Sequence, residues 1–142
     1  PKPQNPWSKA VYLNIKMNFS DSIPQSNGTV DYSPNGNLIA IAKNFDVKIF
    51  DTDGLRPLQN FTFVDVVSQM VWSPDSTLLL VVISKRNTVY VRNVYDPEWN
   101  CKIDEGMAGL LSAIWTPDSR FILTVSEFKL RMTVWDLKLT KV

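Results

Sequence analysis

Few side chains in this sequence are equipped for catalysis. Cys101 is the single cysteine, and histidine is absent. A thiol becomes a nucleophile when a base or a positive helix end lowers its pKa. The residues around Cys101 suggest neither, so the sequence predicts a small buried or edge residue. Without histidine, Ser-His-Asp and Cys-His nucleophiles cannot be built, and one cysteine cannot replace the usual zinc ligands. Asp51 and Asp136 could be read as paired acids for proton transfer, yet each closes the same kind of segment, in the first and third repeats, which points to turn capping. Trp72, Trp115 and Trp135 could form a stacking platform, but their register assigns them to the core or to contacts between repeats. Lys85-Arg86-Asn87 is a short basic loop that could meet an acidic partner such as a tubulin tail. Two charges form no patch, and such a loop is usually solvated. No catalytic group, metal or cofactor is expected.

What positions these residues is a repeat. Three turn signals line up: Ser33-Pro34-Asn35-Gly36, Ser73-Pro74-Asp75-Ser76 and Thr116-Pro117-Asp118-Ser119, with starts 40 and 43 residues apart. Pro34, Pro74 and Pro117 each pre-set φ for a type I turn, and the small polar residue before them can bond back to the backbone. Gly suits the fourth place, where a type I turn tolerates Ser76 and Ser119. An aromatic precedes each turn (Tyr32, Trp72, Trp115). Apolar runs follow at 38–42, 78–83 and 121–125, which read as strands buried on both faces. A third, alternating element closes each unit at Asp51, Asn93 and Asp136. A weaker outer strand follows the first unit at 61–63 and the second at 99–103.

Four short strands per unit, this period and the Trp135-Asp136 ending resemble WD40 β-propeller blades. The fold expected is all-β, a WD40 propeller fragment of about three four-stranded antiparallel blades, with units near 28–63, 68–103 and 111–142. WD40 blades usually bury a His, Ser or Thr, Asp and Trp tetrad. With no histidine, no unit is expected to complete it. Only the third has the Trp-Asp pair, with Thr124 or Ser126 as possible partners, so packing should dominate over polar networking. Propellers close with about four to eight blades, so three should leave apolar flanks that further blades cover. Residues 1–16 hold three prolines and no repeat pattern. They are expected to be a disordered extension, a closing strand, or sequence upstream of a start at Met17.

Composition agrees. Hydrophobic residues make up 44% of 142, enough for a packed core. No apolar run approaches the roughly 20 residues of a membrane span. Lys2, Lys9 and Lys16 make the first stretch basic, while the remainder is slightly acidic. Nucleic-acid binding needs clustered Lys and Arg, and no cluster is present. The lone cysteine fits a reducing compartment such as the cytoplasm.

A narrower likeness rests on Pro97-Glu98-Trp99, Cys101-Lys102-Ile103-Asp104-Glu105-Gly106 and Ala108-Gly109-Leu110. With Glu127-Phe128, Leu130-Arg131, Thr133-Val134-Trp135 and Met17-Asn18-Phe19-Ser20, these resemble the WD-repeat-containing protein eight family over residues 17–142. That is the centrosome and spindle-pole WD40 group. The resemblance implies a non-catalytic scaffold that anchors microtubule minus ends and supports the spindle and cilium assembly. It acts with a coiled-coil centrosomal anchoring protein, joined in fungi by a kinesin-14. Asn100 stands where histidine is expected in animal members. Asp96–Leu110 is then a candidate partner-binding face through Glu98, Trp99, Lys102, Asp104 and Glu105, with Lys85 and Arg86 as further candidates. The same stretch also reads as a structural crossover, in which Gly106 and Gly109 turn the chain and Trp99 and Ile103 pack.

Overall fold

The computed structural model describes residues 22–25, 29–129 and 131–137. Among them, strands β1 (Val30–Tyr32), β2 (Leu38–Lys43), β3 (Asp46–Asp51) and β4 (Pro57–Thr62) form one antiparallel sheet in chain order. Strands β5 (Gln69–Trp72), β6 (Leu78–Ile83), β7 (Thr88–Asn93) and β8 (Asn100–Asp104) form a second, and β9 (Ser112–Trp115), β10 (Phe121–Val125) and β11 (Met132–Asp136) a third. The repeat is visible in register: Ile39 pairs with Phe50, Leu79 with Arg92 and Ile122 with Trp135 at the same place in each sheet. Residues 1–16 and the segment at Met17 lie outside the described residues.

Each strand follows from its side chains. β6, all Leu, Val and Ile, is buried along its whole length, as is β2 up to Lys43. Both are interior strands with a neighbouring sheet, or a packed segment, on each face. β10 departs from that expectation: Ile122 and Thr124 are buried while Phe121, Leu123 and Val125 are only half-buried, because among the described residues only the second sheet lies against it. The outer strands differ from their reading too. β4 begins at Pro57, four residues before Phe61, and β8 runs from Asn100 to Asp104. An edge strand needs no apolar alternation and admits a proline at its start, so its beginning is invisible to hydrophobic pattern.

The three turns close as their sequences dictate, with Gly36, Ser76 and Ser119 amides donating to the carbonyls of Ser33, Ser73 and Thr116 at 2.8, 2.9 and 3.0 Å. Their fourth residues adopt left-handed backbone, φ 77° at Gly36, 64° at Ser76 and 60° at Ser119. Serine at such a position costs roughly 1 kcal/mol against glycine. The hydroxyl offsets this by reaching the neighbouring sheet: Ser76 Oγ accepts from the Asn35 amide at 3.1 Å and Ser119 Oγ from the Asp75 amide at 3.0 Å. The innermost strands are joined similarly. Trp72 Nε1 donates to the Asp31 carbonyl at 3.2 Å, and Trp115 Nε1 to the Val71 carbonyl at 3.1 Å.

Two cores lie between the sheets. Ala40, Val47 and Ile49 of the first meet Leu79, Val81 and Ile83 of the second. Leu80, Val82 and Val91 meet Ala113 and Ile122 of the third. Each fully buried Leu or Ile contributes about 2 kcal/mol by removal from water. On the far side of the first sheet Ile39, Ile41 and Phe50 pack with Ile23 and Leu55.

Candidate functional site

The crossing from the second sheet to the third begins where β8 ends. Glu105 follows at once, with its amide bonded to the Asn87 carbonyl at 3.0 Å. Its side chain turns inward and is only 5% exposed. The carboxylate accepts from Trp135 Nε1 at 3.2 Å, from Arg131 at 2.6 Å and from the Thr124 hydroxyl. Thr124 Oγ1 in turn accepts from the same indole at 2.9 Å. Burial pushes the Glu105 carboxyl up, but hydrogen bonds from Thr124, Arg131 and Trp135 outweigh it and hold it below the ordinary glutamate range. The four residues form a closed polar network between sheets.

The equivalent place one repeat earlier is apolar. Phe63 occupies the Glu105 position, with its amide on the Phe45 carbonyl at 2.8 Å. Val81 stands for Thr124 and Arg92 for Trp135. Phe63 meets Tyr90 at 5.3 Å between centroids, and the Arg92 guanidinium lies 5.5 Å from the Phe63 ring, 5.7 Å from Phe61 and 5.9 Å from Tyr90. Arg92 Nε is buried without a hydrogen-bond partner, so the ring faces hold the cation there. On the first sheet Ile41 and Phe50 take these two places, and Ile23 packs on them.

No protein-family model matches the chain. It is 42% identical over 121 residues, 85% of its length, to the WD repeat-containing protein WRAP73 of mouse, and spans 26% of that protein. The three sheets are WD40 blades. In place of a histidine tetrad the third blade carries a different set: Glu105 stands in the crossing before its first strand, and Arg131 rather than Asp136 joins Thr124 and Trp135. Asp136 instead faces Arg120 at 3.7 Å, as Asp51 faces Arg56 at 3.1 Å, so both close turns and neither pairs with the other.

The blade meander separates the sequence candidates. Asp104 and Glu105 lie at the end of the second blade that carries the crossings and the β2–β3, β6–β7 and β10–β11 turns. Glu98 and Trp99 lie at the other end, beside the Ser-Pro turns, where the Val94 amide bonds the Thr77 carbonyl at 3.1 Å. Glu98 is exposed; Trp99 is half-buried against the second core. Lys102 is exposed midway along β8. Asp104 is exposed and accepts from the Gly106 amide at 2.8 Å. Glu105 is corrected from a contact residue to an internal one, because its charge is already consumed by three donors. Lys85 and Arg86 sit on the 3-10 turn Ser84–Arg86 and reach back to buried Asp65 on the preceding crossing, at 3.8 and 3.1 Å. A backbone hydrogen bond from Val66, then Arg86 and Lys85, lowers the Asp65 carboxyl. The basic loop is thus a clamp between blades that keeps its outer surface in water.

Cys101 is half-buried with its thiol pushed up by burial, the opposite of an activated nucleophile. Trp72 and Trp115 join blades, and Pro34, Pro74 and Pro117 head the turns. Sequence reasoning passed over Met107 and Phe128. Both are strongly exposed at the crossing end. Phe128 has left-handed backbone, φ 58°, on the β10–β11 turn; Asn44 at 54° and Asn87 at 51° take that backbone at other places on the corresponding turns of the first two blades. Asparagine tolerates that backbone; a phenylalanine costs roughly 1–2 kcal/mol.

Proposed function

We propose that the chain is part of a non-catalytic WD40 scaffold working at a microtubule-organising centre, the centrosome or spindle pole. There it holds a coiled-coil anchoring protein and supports minus-end anchoring, spindle assembly and cilium assembly, with a kinesin-14 as a further member of the assembly in fungi. The observation that carries the scaffold reading is the blade 2 to blade 3 crossing. Its inner residue Glu105 fixes the backbone through buried hydrogen bonds, while Asp104, Met107 and Leu111 face solvent. Loops held on a rigid frame are where such folds bind proteins. The pole assignment is supported by the resemblance of Cys101–Gly106 and its flanks to the spindle-pole group.

The test is the location of the tagged full-length protein through mitosis, with capture of the anchoring protein. Pole-focused dots that depend on that partner are the expected result. A diffuse or vesicular signal would overturn the pole assignment and favour a general adaptor in RNA or vesicle traffic.

A further inference from the structure

We infer that Asn35 is a modification site: water hydrolyses its side-chain amide within the folded turn, and the aspartate formed gives the first blade the residue that the other two already hold. The three Pro-containing turns place Asn35, Asp75 and Asp118 in the same third position. Their side chains make the same bonds. Asp75 Oδ1 accepts from the Ser73 hydroxyl at 2.5 Å and the Thr77 amide at 3.1 Å. Asp118 Oδ1 accepts from the Thr116 hydroxyl at 2.5 Å and the Arg120 amide at 3.1 Å. Asn35 Oδ1 accepts from the Ser33 hydroxyl at 2.7 Å and the Asn37 amide at 3.1 Å. A backbone amide can only donate, so the Asn37 contact fixes which end of the Asn35 side chain is oxygen. Asn35 is exposed, and its Nδ2 makes no hydrogen bond among the described residues. The turn uses an acceptor here and has no use for the amide nitrogen.

The two donors also favour the reaction. Attack on Cγ moves negative charge onto Oδ1, where the Ser33 hydroxyl and the Asn37 amide already point, as donors do in an oxyanion hole. Water adds to Cγ and the Cγ–Nδ2 bond breaks. The water oxygen stays in the carboxylate, and both water protons go to the nitrogen, which leaves as ammonium. A second nucleophile is close in sequence, because a glycine after asparagine has no Cβ to hinder attack by its own amide on Cγ. That ring closure yields both aspartate and its β-linked isomer. Here the Gly36 amide is held by the Ser33 carbonyl at 2.8 Å, so the closed turn leaves the step to water and gives the α-linked product alone.

The product fits better than its parent. A carboxylate accepts more strongly than an amide oxygen. Burial raises the Asp75 carboxyl, but bonds from Ser73 and Thr77 outweigh it and hold the group low; the Thr116 hydroxyl and the Arg120 amide do the same for Asp118. The tie to the next blade survives the change. The Asn35 amide donates to Ser76 Oγ just as the Asp75 amide donates to Ser119 Oγ, so an acid in this position is compatible with that bond.

The test incubates the purified full-length protein at neutral pH in heavy-oxygen water, folded and in urea, and maps its peptides by fragmentation that separates aspartate from the β-linked isomer. Asn37-Leu38 serves as an internal reference. In the folded protein Asn35 should become α-linked aspartate carrying one heavy oxygen, at a rate within about tenfold of that in urea, because the aimed donors replace the ring closure that the turn blocks. Asn37 should stay an amide. Gly36→Ser copies Ser76 and Ser119, hinders ring closure and should leave the folded rate unchanged; the product ratio in the unsubstituted protein carries the test should this variant not fold. Asn35→Asp and the aged protein should melt together, at or above the fresh protein. An Asn35 amide still intact after that period would overturn the proposal. So would the β-linked isomer as main product, a rate that collapses in folded Gly36→Ser, or a lower melting temperature for Asn35→Asp.

Discussion

Trp135 donates its indole N–H to Glu105 at 3.2 Å, across the junction between the second and third blades and thirty residues back along the chain. A carboxylate at this place can only accept, so it gathers donors: the indole, the Thr124 hydroxyl and Arg131. The junction one repeat earlier uses an arginine among rings instead. Neighbouring interfaces of one repeat protein are therefore held by opposite chemistries.

Removing the Glu105 carboxylate leaves the indole and the Thr124 hydroxyl short of an acceptor in a buried place. Glu105→Ala should lower unfolding free energy by roughly 2–3 kcal/mol, less than a fully buried ion pair because Arg131 remains half in water. Urea denaturation measures it. A change within about 0.5 kcal/mol would mean that the network contributes nothing net.

The same group gives a pH dependence of known sign. Its folded pKa lies below its unfolded value of about 4.3. The stabilisation is fully present above the unfolded value and is lost as pH falls through the lowered folded one. Thermal stability should thus be flat from about pH 5 to 8, with no histidine to titrate, and fall below about pH 4. Asp65, Asp75 and Asp118 are also lowered and fall in the same range. The difference between wild type and Glu105→Gln isolates the Glu105 share, and parallel curves would refute it.

Arg92 is held by ring faces and leaves Nε without a partner. Arg92→Met keeps the volume and removes the unsatisfied charge, so it should be neutral within about 1 kcal/mol or stabilising. Arg92→Ala empties the space among Phe61, Phe63 and Tyr90 and should cost roughly 2 kcal/mol. Equal losses in both would show that charge, not packing, is what the junction uses.

Ser76 carries both a strained backbone and a hydroxyl that accepts from the Asn35 amide. Ser76→Ala keeps the strain and deletes the bond; Ser76→Gly deletes both. Chemical denaturation should find Ala worse than Gly by about 0.5–1 kcal/mol. The reverse order would show that the strain is absent.

The blades were legible in sequence because turn chemistry and apolar runs are local. Ser33-Pro34, Ser73-Pro74 and Thr116-Pro117 fix their turns without reference to anything distant, and β6 can only be an interior strand. Glu105 was not legible. An acid after an outer strand reads as a solvent-facing rim residue, and its inward turn depends on donors 19 to 30 residues away. Lys85 and Arg86 misled in the same manner, since the acid they hold is Asp65, 21 residues before Arg86. Phe128 escaped because phenylalanine announces a strand, while its φ of 58° puts it in a left-handed turn. What a repeat hides is the residue at which it breaks its own pattern.

The hydroxyls of Ser76 and Ser119 make the turns a relay with a direction, each accepting from the turn before it. Gly36 holds the same position and has no hydroxyl to offer. Any blade that settles against the first one must do so without this tie, so a ring built from these units is not cyclically equivalent. Among the described turns, Gly36 is the one whose place in the relay offers no side-chain acceptor.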